Sequence, residues 1–425
     1  MTAVTITKTS RASTVQKVRA PCGVTAWLVE DYAVPLVAMD FAFRGGASQD
    51  PANKPGVAAM LAGLLDEGAG PLDSEAFHRA LDDKAIEISY HAERDSFGGR
   101  MQTLSRNIDR AFELLALTVT QARLDAEPIE RVRSQMAAGL KREANDPDAQ
   151  SGKLWRRLAF PGHPYSRPVH GELESLPSIA RDDLDALRGR LLARDNLVVS
   201  VVGAIDAATL SRHLETVFAA LPEKARLTPV PQAELAGLGA RQTLDIDVPQ
   251  ATIRFGRPGI ARKDPDFMAA MVVNHILGGG VFTARLFREV REKRGLAYSV
   301  HSHLQTDDAS AFLVGATSTK NERAGESLSV IEEEIRKLAE EGPSEEELDK
   351  AKKYLIGSYP LRFDTSTKIA GQLTHLQLED FDVSYLDERN GLIAAVTLAD
   401  TLRVGRRLFG DGKLLVAIAG RPQGV

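Results

Sequence analysis

The sequence predicts an α+β fold of two homologous domains, each a largely antiparallel sheet with helices packed on it. Three observations predict it: the chain repeats itself once, its strands come as hairpin-like pairs, and its helices follow the strands in blocks rather than alternating with them. The size agrees. The 425 residues are 43% hydrophobic and 26% charged, enough apolar material for two real cores.

The repeat begins at Pro35. The run PLVAMDFAFRGGASQDP reads as a half-buried strand that meets a Gly-rich turn and Asp50-Pro51, and PQATIRFGRPGIARKDP answers it from Pro249 to Asp264-Pro265, an offset of 214. Each copy then enters a helical stretch with apolar residues at i, i+3, i+4 and i+7 and a glycine stop, GVAAMLAGLLDEG and DFMAAMVVNHILGG. Alternating strand patterns follow, EISYHAERDSFGGRMQTL and LAYSVHSHLQTDDASAFLVGATS, and then long amphipathic helices. Both copies close on a helix leading into a buried strand, ending at Gly203 and at Gly420. Between them, LPEKARLTPVPQAELAGLGARQ keeps no period. The expected domains are therefore residues 1–220 and 243–425, joined by a linker over 221–242.

Composition narrows function. The net charge of −5 offers no polycationic surface for a nucleic acid, and no apolar run is long enough to span a membrane. The Thr-rich start MTAVTITKTSRASTVQKV lacks the apolar core of a signal peptide, so a soluble protein is expected, cytoplasmic or periplasmic. Cys22 is the sole cysteine, which excludes an intrachain disulfide and makes a structural role more natural than a nucleophilic one. His163 and His170 lie among Pro and Gly and should shape a turn. His301 and His303 share one strand face, but no carboxylate stands at a third-ligand spacing, so an independent hydrolase built on them is disfavoured.

Two segments resist a purely structural reading. Gly56–Gly70 is a helical stretch with small apolar residues where a charged face would be ordinary. Leu277–Val300 opens on Gly278, Gly279 and Gly280, a costly run unless the backbone must bend freely or approach something closely. Beyond it Arg285, Arg288, Arg291 and Arg294 recur every three residues, and most of these are expected to be solvated. Arg291 differs because Tyr298 follows past the break at Gly295. A guanidinium and a phenol meeting at a helix-to-strand corner give donors suited to a carbonyl or a developing oxyanion.

With the duplication, the HPY-x-RP-x-x-G segment from His163 to Gly171, and the run LGGG followed by RLFREVREKRGLAYSV, the chain resembles the pitrilysin or mitochondrial processing peptidase family of zinc peptidases, the inverzincins, over nearly its full length. Active members carry H-x-x-E-H on the first helix of the first domain, where two His and a distant Glu hold zinc and the motif Glu is general base. This chain departs there. The resemblance puts Ala59 and Gly63 at the two His, Ala62 at the Glu and Val132 at the third ligand, and none of these side chains can bind a cation or take a proton.

Arg291 and Tyr298, by contrast, match the family's Arg and Tyr that hold the substrate backbone and stabilise the tetrahedral intermediate. The resemblance therefore implies a zinc-less subunit, holding no metal and inactive alone. Its partner would be a homologous H-x-x-E-H subunit that supplies zinc and general base, and the substrate a short or unfolded peptide. Gly278 to Gly280 are then expected to form a flexible lip that helps admit it. The rival implication is a catalytically silent scaffold subunit of the same family.

Overall fold

A computed structural model describes residues 12–280 and 282–425. The Thr-rich start, read above for leader character, lies in part outside the described residues.

The first half builds a six-stranded sheet from β1 (Gln16–Arg19), β2 (Thr25–Glu30), β3 (Leu36–Arg44), β4 (Glu87–Ala92), β5 (Ser96–Leu104) and β6 (Leu197–Gly203). Its spatial order is β1-β2-β6-β3-β5-β4, with only β2 and β6 parallel. The second half uses β7 (Arg241–Leu244), β8 (Gln250–Pro258), β9 (Ala297–Asp307), β10 (Ser310–Lys320) and β11 (Leu415–Ala419) in the order β7-β11-β8-β10-β9, with only β7 and β11 parallel. Taken strand for strand, β2-β6-β3-β5-β4 and β7-β11-β8-β10-β9 have the same connectivity and the same directions, as a duplicated α+β unit requires.

The helices match less closely than the strands, seven in the first half and six in the second among the described residues. The first has α1 (Val57–Ala62), α2 (Ser74–Asp82), α3 (Ile108–Gln121), α4 (Ala126–Glu143), α5 (Pro147–Ala159), α6 (Arg181–Leu191) and α7 (Ala207–Phe218). The second has α8 (Phe267–Asn274), α9 (Ala324–Glu340), α10 (Glu345–Gly357), α11 (Ser366–Leu378), α12 (Tyr385–Ala395) and α13 (Leu398–Phe409). Side-chain caps start many of them. Asp73, Asp146 and Asp206 accept backbone N–H groups at the first turns of α2, α5 and α7, and Ser344 and Thr397 form reciprocal capping boxes with Glu347 and Asp400.

Two helices cross over. Helix α5 of the first half lies on the second sheet, where Trp155 is buried and its indole Nε1 donates to the Leu415 carbonyl at 3.1 Å. Gly256 makes room for that ring, since a Cβ there would stand 2.5 Å from Trp155 Cζ2. Helix α11 of the second half lies on the first sheet in return. Gln377 Nε2 donates to the Val199 carbonyl and to Ser200 Oγ, both at 2.9 Å, and Thr374 Oγ1 donates to the Asp40 carbonyl at 3.0 Å. Each half thus covers part of the other's sheet, and apolar clusters around Trp155 and around Leu373 fill the two junctions.

This exchange corrects one expectation. The β3 run reads as half-buried, yet it is buried from Val37 to Phe43 because helices cover both faces. Asp40 inside it keeps an acceptor's partner through Arg100 Nε at 2.9 Å. Helix α1 is a second correction. It stops at Ala62, and Gly63 to Asp66 continue as turns rather than as the longer helix that the periodicity suggests. Residues 219–240 carry no helix or strand and run across the junction, tied down by Ala233 N–H to the Ala309 carbonyl at 2.8 Å and Ala236 N–H to the Ala159 carbonyl at 2.8 Å.

Candidate functional site

Two places hold the residues singled out by sequence, one in each half. In the first, Asp50 accepts from Gly56 N–H at 2.7 Å and Ala58 N–H at 2.8 Å and so fixes the start of α1. Burial outweighs those donors and raises its carboxyl to about 7. Helix α1 carries Ala59 and Ala62, Gly63 follows as its C-cap, and α4 carries Val132. A Cβ built on Gly63 would stand 3.2 Å from Val132 Cγ1, so the end of α1 lies against α4 at this point.

A zinc ion does not fit there. These side chains offer no nitrogen, oxygen or sulfur donor, Ala62 and Val132 are 5% exposed, and among the described residues no group of three His, Cys, Asp or Glu could hold a metal ion. A polar network that the sequence reading missed lies just beyond. Glu67 accepts from Ser74 Oγ and from Arg131, with His78 Nε2 at 3.4 Å. Glu67 is four residues past Gly63, a spacing that signals little without the turn that follows α1.

In the second half, α8 does not end as a plain α-helix. The chain continues from His275 to Gly279 as a π-turn, closed by Gly280 N–H to the His275 carbonyl at 2.9 Å. Gly278 is buried, and a Cβ on it would stand 2.5 Å from Ser302 Oγ on β9. The three glycines therefore let a helix end lie against a strand, and none of them has a left-handed backbone. A second π-turn, Phe287–Glu292, follows, with Lys293 N–H donating to the Arg288 carbonyl at 2.9 Å. Such wide turns recur at functional sites. Gly295, at φ +58, then closes the segment, and Leu296 N–H reaches back to the Val290 carbonyl at 2.8 Å before β9 begins.

The four arginines of this segment separate clearly. Arg285 is a correction to the expectation of solvated charges. Its side chain is 11% exposed and forks onto Glu347, Nε to Oε1 at 2.8 Å and Nη2 to Oε2 at 2.7 Å. Arg288, Arg294 and Lys293 converge on Glu289. Burial opposes ionisation of that carboxyl, but their hydrogen bonds outweigh it and hold it at about 2. Arg291 alone of the four has no carboxylate partner among the described residues. Its guanidinium carbon lies 4.7 Å from the Phe287 ring centroid and 4.5 Å from that of Tyr298.

Tyr298 is 82% exposed, so the corner brings the expected pair together at the surface with the cation resting on the phenol ring. Phe287 is the residue that sequence reasoning missed. It sits four positions before Arg291, an ordinary core spacing on an amphipathic helix that does not by itself signal a contact with the guanidinium.

The remaining candidates are structural. His163 Nδ1 accepts from Tyr165 N–H at 3.1 Å and its Nε2 lies 2.9 Å from the Pro231 carbonyl, which fixes the turn. The rings of His301 and His303 stack at 6.3 Å on one strand face. Cys22 is a free thiol whose backbone N–H donates to Glu215 at 2.5 Å, and burial pushes the thiol up, away from nucleophilic use.

Comparison with known proteins places these features. Residues 178–355 match the family model described as peptidase M16 inactive domain. The chain is 28% identical over 337 residues to the non-peptidase homolog YmxG of Helicobacter pylori, covering 79% of this chain and 78% of that protein. It is 25% identical over 377 residues to a Streptomyces coelicolor protein called an uncharacterized zinc protease, covering 87% and 82%. A crystal structure of a peptidase M16 inactive domain from Pseudomonas fluorescens superposes with a TM-score of 0.89 at 26% identity, covering 96% of this chain and 98% of that one. A Helicobacter pylori protease structure, 19% identical, shares the fold with a TM-score of 0.86 over 96% and 99% of the two chains.

Proposed function

From the premise that this chain belongs to the M16 peptidase family, and that its own first half lacks the family's metal donors, we propose that it is the zinc-less subunit of a heterodimeric metallopeptidase. A homologous H-x-x-E-H partner supplies the zinc and the general base. This chain supplies Arg291 and Tyr298, and the substrate is a short or unfolded peptide. The observation that carries this reading is the selective sparing of Arg291. Its three neighbouring arginines are committed to Glu347 and Glu289, while Arg291 has no carboxylate partner among the described residues and rests against two aromatic rings.

That arrangement suits a donor to a developing oxyanion. The ring faces of Phe287 and Tyr298 fix the guanidinium plane without consuming its N–H groups, so little reorganisation is needed when charge appears on the substrate. The phenol hydroxyl, on an exposed side chain, adds a second donor. Of Gly278 to Gly280, expected as the lip for substrate entry, Gly279 and Gly280 at the end of the first π-turn serve that role, while Gly278 is buried against Ser302.

The test mixes purified chain with its H-x-x-E-H partner and follows cleavage of a quenched fluorescent peptide. Arg291→Ala and Tyr298→Phe should each lower turnover by about 10² to 10³, the usual loss on removing one such donor, while the heterodimer still elutes intact. Tyr298→Phe keeps the ring under the guanidinium and removes only the hydroxyl, which separates donation from packing. Unchanged turnover in both variants with assembly intact is the behaviour of a silent scaffold and would overturn the assignment.

A further inference from the structure

Three pockets adjoin one another, from the edge of the second sheet to Arg100 on the first. One, of about 430 Å³, lies between α5 and β9 and is lined by Arg94, Lys153, Arg156, Arg167 and Arg254, against Glu143, Asp146 and Asp148. The next, of about 520 Å³, shares His303 and Gln305 of β9 with it and carries Arg262, Arg362 and Arg389 against Glu379 alone. The third, of about 540 Å³, shares Arg362 and Gln372 with the second and is lined by Arg100 and Lys368 with no carboxylate. Cations outnumber carboxylates in each pocket, although the whole chain has 53 Lys and Arg against 58 Asp and Glu.

Internal ion pairs consume part of this excess. Arg254 meets Asp148, Lys153 meets Glu143, Arg156 meets Asp307, Arg262 meets Glu379, Arg100 meets Asp40 and Lys368 meets Asp364. Arg167, Arg362 and Arg389 have no carboxylate in salt-bridge range among the described residues. The acid that acts on Arg167 is Asp50, whose buried carboxyl is raised to about 7 and so provides only part of a counter-charge at neutral pH. The imbalance is felt locally. Burial lowers His303, and His301, Arg254 and Arg156 lower it further, while burial and then Arg156 bring Arg94 down to about 10.

We propose that this chain of pockets is a binding channel for an extended polypeptide rich in Asp and Glu. The proposal rests on the peptidase-subunit reading only for calling such a polypeptide substrate; the binding itself needs no partner. Three features favour a peptide over a phosphate polymer. Strand β9 borders the first two pockets as an edge strand whose only strand partner is β10; Asn274 Nδ2 takes its Ser302 carbonyl, which leaves the pocket-lining stretch from His303 to Thr306 to hydrogen-bond a peptide backbone. Trp155, Phe312, Phe267 and Leu355 give the pockets apolar walls for side chains. The net positive balance is thin, as suits spaced carboxylates rather than one phosphate per nucleotide.

The experiment measures fluorescence anisotropy of labelled 15-residue peptides with the purified full-length chain. A peptide alternating Glu or Asp with apolar residues should bind, and its Kd should rise at least tenfold between 50 and 300 mM salt. A peptide with Lys in place of each acid should not bind. Arg362→Glu, on an exposed turn, should weaken the acidic peptide at least tenfold. Arg336→Glu, an equal charge change on the exposed face of α9, should leave binding unchanged. Absence of binding, equal weakening by both variants, or a polyphosphate or single-stranded DNA that competes more tightly than the acidic peptide would each overturn the proposal. Since no arm requires the zinc-bearing subunit, a failure here is distinct from a failure of the Arg291 and Tyr298 assignment.

Discussion

The chain leaves α2 through Ala85, left-handed at φ +48, and enters β4 with Leu81 and Ile88 both buried. In the second half it leaves its wide turn through Gly295 at φ +58 and enters β9 with Arg291 half-buried and Tyr298 exposed. One offset of 210 pairs Ala85 with Gly295, Leu81 with Arg291 and Ile88 with Tyr298. The same backbone corner thus serves as core in one half and as candidate site in the other. The first helix shows the reverse. At the offset of 214 the buried Val273, Ile276 and Leu277 answer to Ala59, Ala62 and Gly63. A duplicated scaffold fixes where a site can stand, and a few side chains decide whether it does.

The largest effect expected on stability comes from the exchanged helices, because each half would leave a sheet face uncovered without the other. Trp155→Ala should cost about 3 to 5 kcal/mol and Leu373→Ala, its counterpart on α11, about 2 to 5 kcal/mol, read from urea denaturation. Both variants should still unfold in one transition by circular dichroism and tryptophan fluorescence together. Two separated transitions in the unsubstituted protein would mean that the halves are not one cooperative unit, and the exchange would lose its energetic meaning.

Much of this arrangement was legible beforehand and some was not. The duplicated, largely antiparallel α+β architecture was legible in the repeat, and the Arg291 and Tyr298 pair in seven residues interrupted by a glycine, whereas the order of strands was not. Helices α5 and α11 gave no sign of crossing over. Their apolar faces look like those of any surface helix, since periodicity reports which face is buried and not against what. The burial of β3 was missed for the same reason. The early end of α1 was hidden because an apolar stretch ending in glycine reads as helix up to that glycine. The selective pairing of Arg285, Arg288 and Arg294 needed the positions of Glu347 and Glu289, one of them on a distant helix.

A smaller effect, and one of opposite sign in the two halves, is expected with pH. Asp50 and Asp264 occupy the same position of the duplication. Burial raises Asp50 to about 7, so it binds a proton more tightly folded than unfolded, and its contribution is full below about pH 4 and is lost as pH rises toward 7. Arg407 lowers Asp264, so its contribution is present above the unfolded value near 4 and is lost as pH falls through the lower folded value. The urea midpoint of Asp50→Asn relative to the parent should therefore improve as pH rises from 4 to 7. Asp264→Asn should lose up to about 1 kcal/mol at pH 7 and less at pH 3, since its partner is half exposed. Parallel pH profiles for the two variants would break the contrast.

The smallest effect isolates the corner itself. Ala85 holds a left-handed backbone that costs an L-residue with a Cβ roughly 1 to 2 kcal/mol, whereas Gly295 holds nearly the same angle without that cost. Ala85→Gly should relieve the strain but lose some stability through the freer unfolded chain, for a net gain of about 0.5 to 1 kcal/mol. Gly295→Ala should lose about 1 kcal/mol, all of it from the backbone, because a Cβ there would meet nothing within 4 Å. Gly295→Asn should lose less than Gly295→Ala, since Asn tolerates this conformation better. If Ala85→Gly instead destabilises by the same amount as Gly295→Ala, the two corners are not equivalent in backbone strain, and the alignment that sets Leu81 against Arg291 would need a different register.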